Sequence, residues 1–244
     1  MNLDEPFLSV IVPAYNEAAR IESTLYSIVG YLKKQSFSSE VLIVNDGSTD
    51  QTFDIAKQFI DQDYLSIRIL TISHGGKGRA VRTGILSAKG KYRFMADADL
   101  SMPIEQLDRF IIEMESGREV VIGSRQIVGA RRFGEPSGRH IAGRCFNLVV
   151  SLLVVRGFYD TQCGFKCFSG DVAESLFSLS KLNGFGFDVE ILYLANKKGF
   201  NIVEIPIDWY HQPFSKVRLF RDSALMFLEI IKIVGFNLFR KYSL

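Results

Sequence analysis

The chain has 244 residues, 47% of them hydrophobic and 23% charged, with a formal net charge of +2. That size and apolar content suit one α/β domain, alone or with a small appendage, and exclude a disordered or fibrous chain. Three cysteines (Cys145, Cys163, Cys167) make no disulfide framework, and no His/Cys cluster has zinc-ligand spacing.

The start, MNLDEPFLSV, is acidic and turns at once into a strand. It has no basic n-region and no long apolar run, so a signal peptide is not expected, and reduced thiols in a cytosolic setting are. Residues 8–13, LSVIVP, read as a short buried strand closed by proline. Residues 17–34 carry Ile21, Leu25, Ile28, Val29 and Leu32 at helical spacing. Residues 41–44 are a second buried strand and run into Asn45-Asp46-Gly47-Ser48-Thr49-Asp50, a turn cluster that also suits a helix cap. A third strand spans 67–72 and leads into the loop His74-Gly75-Gly76-Lys77-Gly78. A helix over 79–88, a strand over 92–95, a helix over 104–115 and a strand over 120–122 follow.

Strands that alternate with helices at short intervals predict a parallel sheet covered on both faces. Loops leaving the carboxyl ends of such strands form the ligand crevice. The polar clusters at Asn16-Glu17, Asp46, residues 74–78 and residues 97–101 all fall there.

Beyond Arg125 the pattern loosens. Residues 129–138 read as a Gly/Arg-rich loop, 141–155 as a strongly apolar stretch, 160–169 as a strand pair or loop, 184–197 as a glycine turn becoming a helix, and 202–207 as a strand. Charge is uneven: the segment from Lys216 onward is net +4, which leaves the rest at −2. A basic, apolar tail suits an anionic membrane surface, and equally an amphipathic helix on the core. Residues 223–239 are interrupted by Glu229 and Lys232, and a spanning helix needs ~20 mostly apolar residues. Lying in the interface is therefore the membrane expectation. Twenty Phe against one Trp suit either a large core or a lipid-facing surface. No nucleic-acid partner is expected.

The chemistry sits in the loops. Asp97-Ala98-Asp99 follows a strand. Two carboxylates there can hold a divalent cation against a pyrophosphate, and hard oxygen ligands select Mg²⁺ or Mn²⁺. Asp46 can accept from a base imide or a ribose hydroxyl. In Pro13-Ala14-Tyr15-Asn16-Glu17, Tyr15 can stack on a base and Glu17 can accept from ribose, and a turn with an acidic first helical turn explains the same residues. The 74–78 loop brings backbone close to a phosphate and supplies one cation, Lys77, without the spacing of a Walker motif. Arg125, Arg131, Arg132 and Arg139, with Lys216 and Arg218, make a basic set near an apolar helix that suits a lipid phosphate.

FLSVIVPAYNE, VLIVNDGSTD, HGGKGRAVRTG, DADLS, GSR, DTQCGFK and FDVEIL together resemble the family 2 glycosyltransferases of the GT-A fold. The branch they look most like is the dolichyl- or polyprenyl-phosphate glucosyltransferases, with polyprenyl-phosphate mannose synthases as cousins. The resemblance runs from Phe7 to Arg218. It implies a mainly parallel twisted sheet with a Rossmann-like nucleotide-sugar core. The expected division is a GT-A catalytic domain over residues 1–215 and, from the charge of the tail, a basic amphipathic C-terminal helix over 216–244.

The resemblance also implies roles. Pro13, Ala14, Tyr15 and Glu17 line the nucleotide pocket, Asp46 contacts base or ribose, and Lys77 sits near the nucleotide. Asp97 meets the nucleotide or a metal-bound water, with Ala98 between it and Asp99, the metal ligand. Arg125, Arg139 and Lys216 hold the acceptor phosphate. Gln162 and the pair Asp188/Glu190 border the sugar.

The implied activity moves glucose from UDP-glucose to a polyprenyl (dolichyl) phosphate, with inversion, at the cytoplasmic face of a membrane to which the chain attaches peripherally. Asn45 departs from the common VDDGS pattern, and the QxxRW motif of processive synthases is absent. GDP-mannose as donor, a glycan hydroxyl as acceptor, and a non-catalytic nucleotide-sugar-binding scaffold are the competing expectations.

Overall fold

The computed structural model describes residues 5–60, 65–135, 137–212 and 219–242, without the side chains of residues 137, 139–142, 145 and 219–222. The first half holds β1 (Leu8–Ala14), α1 (Ile21–Leu32), β2 (Ser39–Asn45), α2 (Thr52–Lys57), β3 (Ser66–Thr71), α3 (Lys77–Ser87) and β4 (Tyr92–Met95). The second holds α4 (Leu107–Glu115), β5 (Val120–Ser124), β6 (Arg131–Phe133), α5 (Ser137–Leu153) and β7 (Lys166–Ser169). It closes with α6 (Gly170–Leu179), α7 (Phe187–Lys198), β8 (Ile202–Pro206), β9 (Asp208–Tyr210) and α8 (Leu219–Leu238).

Seven strands form one sheet in the order β3-β2-β1-β4-β7-β5-β8. Its pairings are parallel except at β7, which runs antiparallel to both β4 and β5. β1 is buried along its whole length because helices cover both faces, so its apolar run is continuous rather than alternating. Val10 and Val12 meet α1 and α4 on one face, while Ile11 meets α3 on the other. Strand order reverses between β1 and β4, and the loops after β1, β2, β3, β4 and β5 leave at one edge. Because β7 is antiparallel, the segment that enters it, residues 160–165, arrives at that same edge.

Several elements differ from the expectations. The helix after the glycine loop begins at Lys77, since Gly76 at φ +102° turns the chain straight into it. The Gly/Arg-rich loop contains β6, which pairs in parallel with β9 in a separate two-stranded sheet. Three residues carry no periodicity, and this strand exists because a distant partner reaches it. Residues 160–165 form a turn, leaving only β7 as strand, and α6 follows without a break. The helical spacing of Val172, Ala173, Leu176 and Phe177, all buried, is the signal for α6.

The C-terminal helix is seated on the domain. Ile230 and Ile233 of α8 are fully buried in the cluster shared by α3, α6 and α7, and Tyr242 beyond it donates to Glu190 at 2.7 Å. Its other face exposes Phe227, Leu228, Ile231 and Leu238. Among the described residues no helix is long and apolar enough to cross a membrane. Ile233→Ala is expected to cost about 3 kcal/mol in urea unfolding, while Ile231→Ala on the outward face stays within about 0.5 kcal/mol.

Candidate active site

Each loop at the common edge is held by a buried or half-buried polar group. The buried Asp46, at the end of β2, accepts from Gly75 N at 2.8 Å and Gly76 N at 2.9 Å, with His74 Nδ1 2.9 Å away. Both its oxygens thus shape the glycine loop. Tyr15 stacks on His74 with ring centroids 4.0 Å apart. Asn16, at φ +53°, accepts from Thr49 N at 2.7 Å, which ties the loop after β1 to the loop after β2. Pro13 and Ala14 are buried in β1, and Ala14 O accepts from Asp46 N at 2.9 Å.

The Asp97-Ala98-Asp99 segment follows β4 at the strand-order reversal. Lys77, in the first turn of α3, lies 2.6 Å from Asp97 Oδ1. Burial opposes the lysine charge, but Asp97, Asp188 and Asp99 outweigh it and raise the Lys77 pKa. Asp99 Oδ1 accepts from Ser101 N at 3.0 Å and Ser101 Oγ at 2.9 Å, and Thr24 Oγ1 of α1 donates to Ala98 O at 2.7 Å. Burial first and the Asp97 charge second push the Asp99 carboxyl up from its ordinary range. Such a carboxylate gains from a cation. Arg20, paired with Glu17, approaches Asp99 Oδ2 at 4.0 Å. Arg20 escapes sequence reading because an arginine three residues after Glu17 looks like a local helix-start pair.

These residues can accept a divalent cation only in part. Among the described residues no cluster of three or more His, Cys, Asp or Glu could hold a metal alone. Asp99 and Asp97 fit an ion that takes its remaining ligands from phosphate and water, as Mg²⁺ and Mn²⁺ do.

The loop from Asp160 to Lys166 joins the two halves. Asp160 accepts from Arg125 Nε at 2.7 Å, Nη2 at 2.9 Å and the Arg125 backbone N at 3.0 Å. Burial of Asp160 disfavours its charge, yet the Arg125 guanidinium outweighs that and holds the carboxyl below its usual range. Arg125 also lies 5.5 Å from the Trp209 ring, and its carbonyl accepts from Arg132 Nε at 2.7 Å. Gln162 Nε2 reaches Met226 Sδ of α8 at 3.2 Å. Gly164 faces Asp97 so closely that a Cβ there would lie 1.8 Å from Asp97 Oδ2. Lys166 is buried and bonded to Asp188 and to Cys163 O. Burial pushes the Cys163 thiol up to about 12, so it stays protonated and inert.

The structure therefore brings together Asp46, Tyr15, Lys77, Asp97 and Asp99, with Glu17 behind Arg20. Asp188 stands behind them, buried with Lys166, and burial raises its pKa despite that partner. Glu190 is not brought to the cluster: its carboxylate accepts from Ser180 Oγ, Lys181 N, Leu182 N and Tyr242, and so holds the turn before α7. Arg131 turns away to pair with Asp208. Arg139 sits in α5 with its side chain outside the described residues, and Lys216 and Arg218 lie outside them altogether.

The sequence profile of Glycosyl transferase family 2 matches residues 9–174. The chain belongs to that family and is a glycosyltransferase of the GT-A fold. Among curated relatives it is 37% identical to the "Dolichyl-phosphate beta-glucosyltransferase" of Dictyostelium discoideum, over 95% of this chain and 75% of that one. The Saccharomyces cerevisiae protein of the same name is also 37% identical, over 94% and 75%. The Homo sapiens one is 35% identical, over 93% and 76%. Among solved structures, glucosyl-3-phosphoglycerate synthase from Mycobacterium tuberculosis with UDP superposes at a TM-score of 0.69 and 18% identity, covering 94% of this chain and 80% of that one. The same enzyme with Mn²⁺, UDP and glucosyl-3-phosphoglycerate gives 0.67 at 19% identity, with the same coverage.

Gly164→Ala is expected to drive Asp97 away from Lys77 while leaving the fold intact. A displacement near 1 Å at such a site costs about 100-fold, so kcat/KM should fall by that order with an unchanged circular dichroism spectrum.

Proposed function

We propose that this glycosyltransferase moves glucose from UDP-glucose to a polyprenyl phosphate of the dolichyl type, with inversion, to give a β-linked lipid-phosphate sugar. One observation carries the reading. The loop of residues 160–166 touches both charged halves of the site, with Asp160 on Arg125 and Gly164 on Asp97. One segment then lies against both a donor diphosphate at Asp97/Asp99 and an acceptor phosphate at Arg125. The curated relatives named above support the choice of sugar and acceptor.

In this reading the glycine loop and the start of α3 face the diphosphate, with Tyr15 and Asp46 toward the nucleoside. Asp99 with Asp97 would hold a divalent cation, Mg²⁺ or Mn²⁺, which would supply positive charge against the departing diphosphate. Lys77 adds a fixed positive charge on the same side. Arg125, oriented by Asp160 and Trp209, presents Nη1 to the acceptor phosphate, and Arg139 and Lys216 are assigned the same task. The acceptor oxygen attacks C1 of glucose from the opposite face, the C1–O bond to the diphosphate breaks, and UDP leaves with the electron pair. A phosphate monoester with a second pKa near ~6 is already an oxyanion at neutral pH, so the step needs no strong base. The buried, committed state of Asp188 and Glu190 suits that requirement.

The lipid acceptor calls for a membrane surface. α5 and α8 pack together and expose Leu148, Leu152, Leu228, Ile231, Leu238 and Phe239, flanked by the exposed cations Lys232, Arg240 and Lys241. This face suits peripheral attachment to the cytoplasmic side of an anionic membrane.

Labelled nucleotide sugars presented with polyprenyl phosphate test the reaction. UDP-glucose is expected to serve, Asp99→Ala to lose at least about 100-fold in metal-dependent transfer, and Arg125→Ala to weaken acceptor use more than UDP binding. Transfer from GDP-mannose instead, or to soluble glycans only, overturns the reading. The surface is tested by sedimentation with phosphatidylglycerol vesicles. Ile231→Glu together with Leu228→Glu should abolish binding without loss of stability, and unchanged binding rules that face out.

A further inference from the structure

The nucleotide-facing glycine loop rests on a turn that the C-terminal helix holds. Glu229, midway along α8, accepts from Gly184 N at 3.2 Å and Gly186 N at 2.7 Å. No side chain fits between them: a Cβ on Gly184 would lie 2.5 Å from Glu229 Oε1, and one on Gly186 would lie 2.7 Å from Glu229 Cβ. Glu190 holds the other end of the same turn through Lys181 N and Leu182 N. The turn is thus fixed at both ends by carboxylates from different helices.

Its outer side presents carbonyls directly to the glycine loop. Asn183 O accepts from Arg79 N at 3.3 Å, and Arg82 of α3 donates to Ser180 O at 2.9 Å and Asn183 Oδ1 at 2.8 Å. A Cβ on Gly76 would lie 2.5 Å from Asn183 O, and one on Gly78 would lie 2.8 Å from Leu182 O and 2.9 Å from Gly184 O. Backbone meets backbone, so a shift of the turn passes to the loop with no flexible side chain to absorb it. The loop carries both Gly75 and Gly76, which bind Asp46, and Lys77, which binds Asp97.

We infer that Glu229 is a positioning residue for donor binding: it acts through the turn at 182–186 to set the height of the 75–78 loop and of Lys77. The inference rests on the reading above in taking that loop as the donor diphosphate site. It gives a role to Glu229, the acidic residue that interrupts the apolar stretch of residues 224–236. A carboxylate there weakens the helix as a membrane element but supplies two acceptors that an amide or an alkyl chain cannot match.

The test uses the full chain and measures UDP affinity with Mn²⁺ by calorimetry, beside steady-state kinetics with UDP-glucose and polyprenyl phosphate. Glu229→Ala is expected to raise the UDP Kd and the UDP-glucose KM about tenfold, with the acceptor KM unmoved and kcat changed less than about threefold. Glu229→Gln keeps the shape and one acceptor oxygen, so it should fall between Ala and wild type and serves if the Ala variant does not fold. Ile233→Ala, which loosens α8 elsewhere, should leave the UDP Kd within about twofold. Wild-type UDP affinity in both Glu229 variants overturns the inference. So does a loss in Ile233→Ala equal to that in Glu229→Ala, because helix packing in general is then the cause. A wild-type protein that binds no UDP, or Asp46→Asn and Asp99→Ala variants that bind it normally, overturns the donor-site reading instead.

Discussion

The Asp97 carboxylate, pressed between Lys77 and the bare Cα of Gly164, is the contact on which the other features of the site depend. It stands at the end of β4, where strand order reverses and the sheet edge opens. A carboxylate there is half-enclosed and beside a second one, Asp99, so both need compensating charge. Lys77 supplies part of it from α3, Arg20 part from before α1, and the pair Lys166–Asp188 lies behind. The site is a run of alternating charges in a half-buried crevice. Under the proposed function, an incoming diphosphate and cation would enter that run as two further members.

The loops around this contact are held in one manner. Asp46 binds the amides of the glycine loop, Glu204 binds Tyr159 N and Asp160 N at 2.9 Å each, and Glu190 and Glu229 bind the two ends of the turn between α6 and α7. Backbone N–H groups in loops have no ladder to join, and leaving them buried and unpaired costs about 1–3 kcal/mol each. A carboxylate accepts from two of them at once. Acidic side chains that sequence reading would assign to substrate therefore serve the scaffold as well, and the chemistry falls to the few left facing the crevice.

α8 has two faces of different character. One side buries Ile230 and Ile233 in the cluster behind the sheet, and the other exposes an apolar band beside α5. Seen as sequence, the apolar residues of 223–239 and the charges Glu229 and Lys232 among them look like a conflict between core helix and membrane helix. In the fold they separate by face: Glu229 points to the glycine turn, and Lys232 points to solvent with the outward residues.

The mainly parallel α/β core, and the sheet edge at which Tyr15, Asp46 and Asp97 stand, are legible in the sequence. Those residues follow strands directly, so a short apolar run ending in Asp46, Tyr15 or Asp97 already implies their common edge. The period of the strands and helices carries that information locally. Folding is what sets Asp160 against Arg125, Gly164 against Asp97 and Lys166 against Asp188, and what lets Glu190 and Glu229 brace one turn. Each of these joins residues from separate elements, and β7 reaches its place by running against the sheet's direction. Local propensity has no record of such pairings. They arise when chain reversal brings a buried charge to the one partner that can satisfy it.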